Sequence, residues 1–238
     1  MLTGTFINVG TVLAGTGIGS LAGERLPVGV QQRVLAGIGL VTMLIGVDLG
    51  LAWRQSNALP VEVLGGVLLG GLVGEALRIE DRLAALGDRL QAWSTRGRGH
   101  HSQVSEAFFT ASLLFCVGPL TVVGAIEDGL HGHYQALATK ALLDGFAAVA
   151  LSSTLGPGVA FAAVTILVVQ GGISIAAGLF NHILADGSDA LAALTSAGGI
   201  LIVGIALKLL DLKDVKVGNY LPALVLAPAI VGIVSAFS

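Results

Sequence analysis

Apolar residues along this chain come in long runs rather than in alternation, and the polar residues collect in short gaps between those runs. A helix rises about 1.5 Å per residue, so about 20 apolar residues cross the hydrocarbon of a bilayer. Runs of that length fit at about 3–23, 34–53, 59–77, 105–126, 136–154, 159–182, 191–210 and 218–236. The pattern therefore predicts an all-α fold, a polytopic transmembrane helix bundle of about eight spans. The short alternating segments of a transmembrane β-barrel do not occur in the sequence.

Composition agrees: 54% of the 238 residues are hydrophobic and 11% are charged. The first charges, Glu24 and Arg25, follow the first apolar run, so that run reads as a span rather than a signal peptide. One connection is long. Arg78 to His101 carries Leu83, Leu86 and Leu90 at helical spacing among arginines, the pattern of an amphipathic helix on the membrane surface. If that segment is cytoplasmic, Arg25, Arg33, Arg78, Arg82, Arg89, Arg96, Arg98, Lys208, Lys213 and Lys216 all lie inside. Only Arg54 and Lys140 do not, and this asymmetry predicts both termini outside.

Two patterns recur. Asn57-Ala58-Leu59-Pro60 opens span three and Asn219-Tyr220-Leu221-Pro222 opens span eight, with Gly70 matching Gly232. Spans one and six correspond through Phe6 and Phe161, Gly17 and Gly172, Ile18 and Ile173, and Gly23 and Gly178. A unit repeated after two intervening spans enters from the opposite side, so inverted-topology three-helix repeats would flank a central hairpin. The chain then reads as one transmembrane domain over 1–238. Its parts are repeat unit one at 3–78, a cytoplasmic amphipathic connection at 79–103, a polar hairpin at 104–157 and repeat unit two at 158–238.

Glycine supplies close packing. Gly15, Gly19 and Gly23 in span one and Gly66, Gly70 and Gly74 in span three form GxxxGxxxG stripes, each followed by a glutamate. Such stripes let helix backbones approach in lipid. The two are expected to pack on each other or to face another copy of the chain, which leaves a homo-oligomer open.

The candidate chemistry lies in the hairpin. An ionised residue at mid-bilayer costs roughly 2.5–3.5 kcal/mol, so it is paired, turned inward or placed on a pathway. Lys140 and Asp144 are one helical turn apart in span five and can neutralise each other. In span four, Glu106, Thr110, Val117, Thr121, Gly124 and Asp128 fall within about 60° of one another on a straight helix. Cys116-Val117-Gly118-Pro119 either breaks or bends that helix. Pro119 removes a hydrogen bond, so freed carbonyls could face a cavity. Span six adds a face of Gln170, Ser174 and Asn181, whose oxygens can bind a cation or a polar solute. Asn8 would meet that face if spans one and six cross as repeat partners. The same side chains could instead only fasten helices together.

Other signals are weaker. Cys116 reads as a small packed residue. His131 and His133 beyond Glu127 and Asp128 form a thin metal motif on a loop, and no metal site is assigned. Asp48 and Glu62 lie near span ends, where water is the simplest partner. The Gly15–Gly19 glycines lie inside an apolar span rather than after a strand, so they are no dinucleotide loop. No Walker, HExxH or GxSxG motif occurs, and an enzyme, a cofactor and a nucleic-acid partner are not expected.

The stretches FTASLLFCVGPLTVVGAIEDGL, TKALLDGFAAVALSSTLGPGV, VQGGI and NYLPAL, with the opening GTFINVGTVLAGTGIGSLAG, resemble the YdfK/YqgA-like family of bacterial inner-membrane proteins. That resemblance implies a multi-spanning inner-membrane protein and a possible transporter, without supplying residue roles. The sequence thus supports a channel or secondary transporter for a small ion or polar solute. The alternative is a membrane scaffold or accessory subunit that binds a cytoplasmic partner or lipid through Arg78–His101.

Overall fold

The computed structural model describes residues 2–23, 27–58, 60–82, 85, 101–116, 119–177 and 188–237. Most of the 79–103 connection, together with Gly118 and Asn181, lies outside the described residues. Nine helices are considered: α1 (Thr3–Gly23), α2 (Val28–Gly50), α3 (Pro60–Ala76), α4 (His101–Cys116), α5 (Pro119–His131), α6 (Gln135–Leu155), α7 (Ala162–Ile175), α8 (Asp189–Leu209) and α9 (Ala223–Phe237). No strand occurs among the described residues. Among the described residues, six helical stretches are long and apolar enough to cross a membrane, or seven if the bent pair α4 and α5 is one span. Their outward residues include Phe146, Leu44 and Ile175, each at least 71% exposed, as lipid contact requires.

The straight fourth span does not form. Its residues divide into α4 and α5, set at 64° to each other. The cause is Pro119, which cannot donate to the carbonyl one turn earlier and is tolerated at the first position of a new helix. The polar stripe read across Glu106 to Asp128 is therefore broken into two faces.

The chain separates into two compact units. The first holds Met1–Ile38, Leu83–Cys116 and Leu120–Gly178. Its apolar core joins Val12, Ala111, Phe115, Leu151 and Ile166, with Cys116 packed at the edge. Here α1 lies along α6, with Gly15 over Gly145, Gly19 over Val149 and Gly23 over Ser153. The partners ascend together, so the two helices run parallel. A Cβ on Gly19 or Gly23 would collide with an α6 backbone carbonyl, which leaves glycine as the residue that fits.

The second unit holds Gly39–Arg82, Val117–Pro119 and Leu179–Ser238. Its core joins Val63, Val67, Ala193, Ala197, Ala223, Ala227 and Val231. Gly66 lies against Ala227, Gly70 against Ala223 and Gly74 against Asn219, so α3 and α9 run antiparallel. On α2, Gly46 meets Val203 and Gly50 meets Gly199 of α8, again in opposite directions. The expectation that the stripes of α1 and α3 pack on each other is thus corrected: α6 fills one and α9 the other. Glu62, expected in water, is buried in the first turn of α3, where its charge complements the helix dipole. Asp48 is exposed.

Candidate functional site

Within the first unit, five helices bring polar groups to one buried cluster. Lys140 and Asp144 on α6 form an ion pair, each with only 7% of its surface exposed. Lys140 Nζ also donates to the Phe115 carbonyl at 2.6 Å. That carbonyl is available because its helical partner would be the N–H of residue 119, and proline has none. Thr121 Oγ1, fully buried, donates to the same oxygen at 3.3 Å. The break between α4 and α5 thus supplies a backbone acceptor to a buried ammonium.

The Asp144 oxygen that Lys140 engages is also held by α1. Asn8 Nδ2 donates to Asp144 Oδ2 at 2.9 Å and to Gln170 Oε1 at 3.0 Å. Gln170 Nε2 donates in turn to Thr5 Oγ1 at 3.3 Å. Asn8, Gln170 and Thr5 are all at 0% exposure. A continuous chain of bonds therefore runs from α4 through α6 and α1 to α7. Two charges with shared hydrogen bonds tolerate the low dielectric far better than either would alone.

A second buried carboxylate lies beside this chain. Asp128 on α5 is at 0% exposure, and its Oδ2 accepts the Gly4 N–H at 3.1 Å. Gly4 belongs to the first turn of α1, whose N–H groups have no intrahelical acceptor, so Asp128 caps that helix. The neighbouring Gly129 packs on the Ser174 carbonyl of α7. Asp128 Oδ1, Ser174 Oγ and Asn8 Oδ1 are buried without a hydrogen-bond partner among the described residues.

Of the remaining candidates, Thr110 is buried and Glu106 half-buried on α4. His131 and His133 are exposed with ring centroids 5.7 Å apart, and no three metal-ligating side chains converge among the described residues. Sequence reasoning overlooked Thr5 and the Phe115 carbonyl, and it gave Asp128 only a place on a stripe and beside a thin metal motif. The bond between Ser112 Oγ and Thr165 Oγ1, at 2.9 Å, also had no signal beyond two hydroxyls in apolar runs.

The second unit has its own polar cluster at the end of α3. Asn219 donates to Glu75 Oε2 at 2.6 Å, and its Oδ1 accepts the Glu80 N–H at 2.8 Å. Glu80 Oε2 accepts the Gly218 N–H at 2.6 Å. Partial burial pushes the Glu80 carboxyl above its usual range, against the pull of that N–H and of Lys208.

The family model described as "Protein of unknown function (DUF554)" matches residues 3–232. The chain is 30% identical over 234 residues to the "Uncharacterized membrane protein YdfK" of Bacillus subtilis (strain 168), covering 98% of this chain and 97% of that protein. It is 30% identical over 230 residues to the "Uncharacterized protein YqgA" of Escherichia coli (strain K12), covering 95% of each. No solved structure matches the chain.

Proposed function

The chain belongs to the DUF554 family of membrane proteins, and from that premise we propose that it is a channel or secondary transporter of the bacterial inner membrane for a small ion or polar solute. The observation that carries this reading is the buried chain Phe115–Lys140–Asp144–Asn8–Gln170–Thr5. Charged and polar side chains joined through four helices are costly in a membrane, and they mark ion and proton pathways there. In this reading Asp144 attracts the cation and Lys140 is its resting counter-charge.

The helix directions support a count of about eight crossings, which puts both termini on one side, and the Lys/Arg asymmetry makes that side the outside. Parallel α1 and α6 need an odd number of crossings between them, and α2, α3 and the bent α4–α5 pair supply three. With 17 residues, α3 is about 26 Å long, enough to cross with slight thinning of the bilayer. The contacts α2 with α8 and α3 with α9 support inverted repeats, since each joins corresponding helices of the two copies in opposite directions. Asn8 with Gln170 joins the third such pair, α1 and α7.

The second reading is a non-transporting scaffold, favoured by the closure of Lys140 on Asp144 and the Phe115 carbonyl, which would also fasten helices. Flux in proteoliposomes separates the two. Sodium, potassium, proton or chloride flux above that of empty liposomes, abolished in folded Asp144→Asn, is expected for transport. Absence of flux for all four, from inserted and folded protein, turns the reading to organic solutes and then to the scaffold.

A further inference from the structure

The buried oxygens around Asp128 are not used by the path through Lys140 and Asp144. Only one carboxylate oxygen of Asp128 is engaged, by the Gly4 N–H. The other, Oδ1, is buried without a donor, and so are Ser174 Oγ and Asn8 Oδ1. An ionised carboxylate held away from water needs a compensating charge. Among the described residues no lysine, arginine or histidine pairs with Asp128.

The helices bring the segments that carry these oxygens together. Gly129, next to Asp128, rests on the Ser174 carbonyl at the end of α7, where the last carbonyls of a helix carry partial negative charge. Gln170, one turn before Ser174, bonds to both Thr5 and Asn8 of α1, and Gly4 of α1 bonds to Asp128. The groups at this junction of α1, α5 and α7 are hydroxyl, amide, carbonyl and carboxylate oxygens. Oxygen ligands suit hard cations, and a single carboxylate balances a single positive charge.

We infer that Asp128, with Ser174 and the α7 terminus, forms a binding site for a monovalent alkali cation, separate from the Lys140–Asp144 pair. A bound metal ion can be shared by oxygens that do not bond to one another, which matches the unpartnered Oδ1 and Oγ.

The test is thermal unfolding of the purified full-length protein in detergent, titrated with sodium or potassium chloride against choline chloride at constant ionic strength. A ligand that binds only the folded state raises Tm with its concentration. The wild type should show that rise for sodium or potassium. Asp128→Asn keeps an acceptor for the Gly4 N–H, so it should fold and lose the rise. Ser174→Ala should fold and need several-fold more cation for half-saturation. An unchanged response in Asp128→Asn, or no response to either cation in the wild type, overturns the site. A response to pH alone that Asp128→Asn removes makes it a proton site and overturns the metal-ion assignment. If Asp128→Asn fails to fold, Ser174→Ala decides, and an unchanged half-saturation overturns the inference. Binding is read without flux, so this result and the transport reading stand or fall separately.

Discussion

The two units carry the same GxxxGxxxG stripe and build different interiors on it. In the first, α1 runs parallel to α6 and the close approach brings Asn8 onto Asp144. In the second, α3 runs antiparallel to α9 over alanines, and the polar contacts of Asn219 with Glu75 and Glu80 come only beyond the α3 stripe. A small-residue stripe therefore fixes how near two backbones come, and neither the partner nor the direction. What the contact does depends on the polar side chains carried beside it.

The sharpest way to break this contrast is at Lys140. Lys140→Met leaves Asp144 buried with Asn8 as its remaining partner, and losing one member of a buried pair costs about 3–5 kcal/mol. The double variant Lys140→Met/Asp144→Leu should recover most of that stability in a thermal unfolding assay while flux stays absent. Recovery of flux with the pair removed would assign the pair to packing alone.

Next come the stripes themselves. Gly19→Ile drives a side chain into the Val149 carbonyl and Gly70→Ile into the Ala223 backbone. Overpacking against backbone should cost about 3 kcal/mol in each unit, read as lost monodisperse protein or lowered Tm. Gly17→Ile is the control, since Gly17 has no neighbour within 4 Å of an added Cβ. Equal loss at Gly17 would show that the stripes are not the contact faces.

The smallest effect is expected at Glu80. Burial raises its carboxyl, so the folded state holds that proton more tightly than the unfolded state does. The group's stabilising contribution is full at low pH and is lost as pH rises through the raised value. Glu80→Gln keeps an acceptor for the Gly218 N–H and stays neutral, so it should flatten a shallow fall in Tm just above the usual carboxylate range. Lys208, Asp214 and Lys216 also act on Glu80, and the partial exposure keeps the change small. A steeper fall in the variant would contradict the raised carboxyl.

Much of this was legible in the sequence. Apolar runs marked the helices, the spacing of Lys140 and Asp144 marked a pair, and Pro119 marked a break or a bend because proline lacks an N–H. The rest depended on contacts between distant residues. Nothing local says that Lys140 reaches a backbone carbonyl at Phe115, that Asp128 caps the helix beginning at Thr3, or that the α3 stripe waits for α9. A straight-helix projection also failed between α4 and α5, because it carries faces across a bend it cannot see.

The parallel seating of α1 on α6 has a consequence for synthesis. Gly15 enters the membrane about 130 residues before Gly145 exists, an interval of roughly 7–26 s at 5–20 residues per second. During that interval the groove of α1 has only lipid or a helper protein to fill it, and Asn8 has neither Asp144 nor Gln170 to bond. The nascent chain therefore carries an open polar notch through most of its translation, and α6 and α7 complete an assembly that the first helix began.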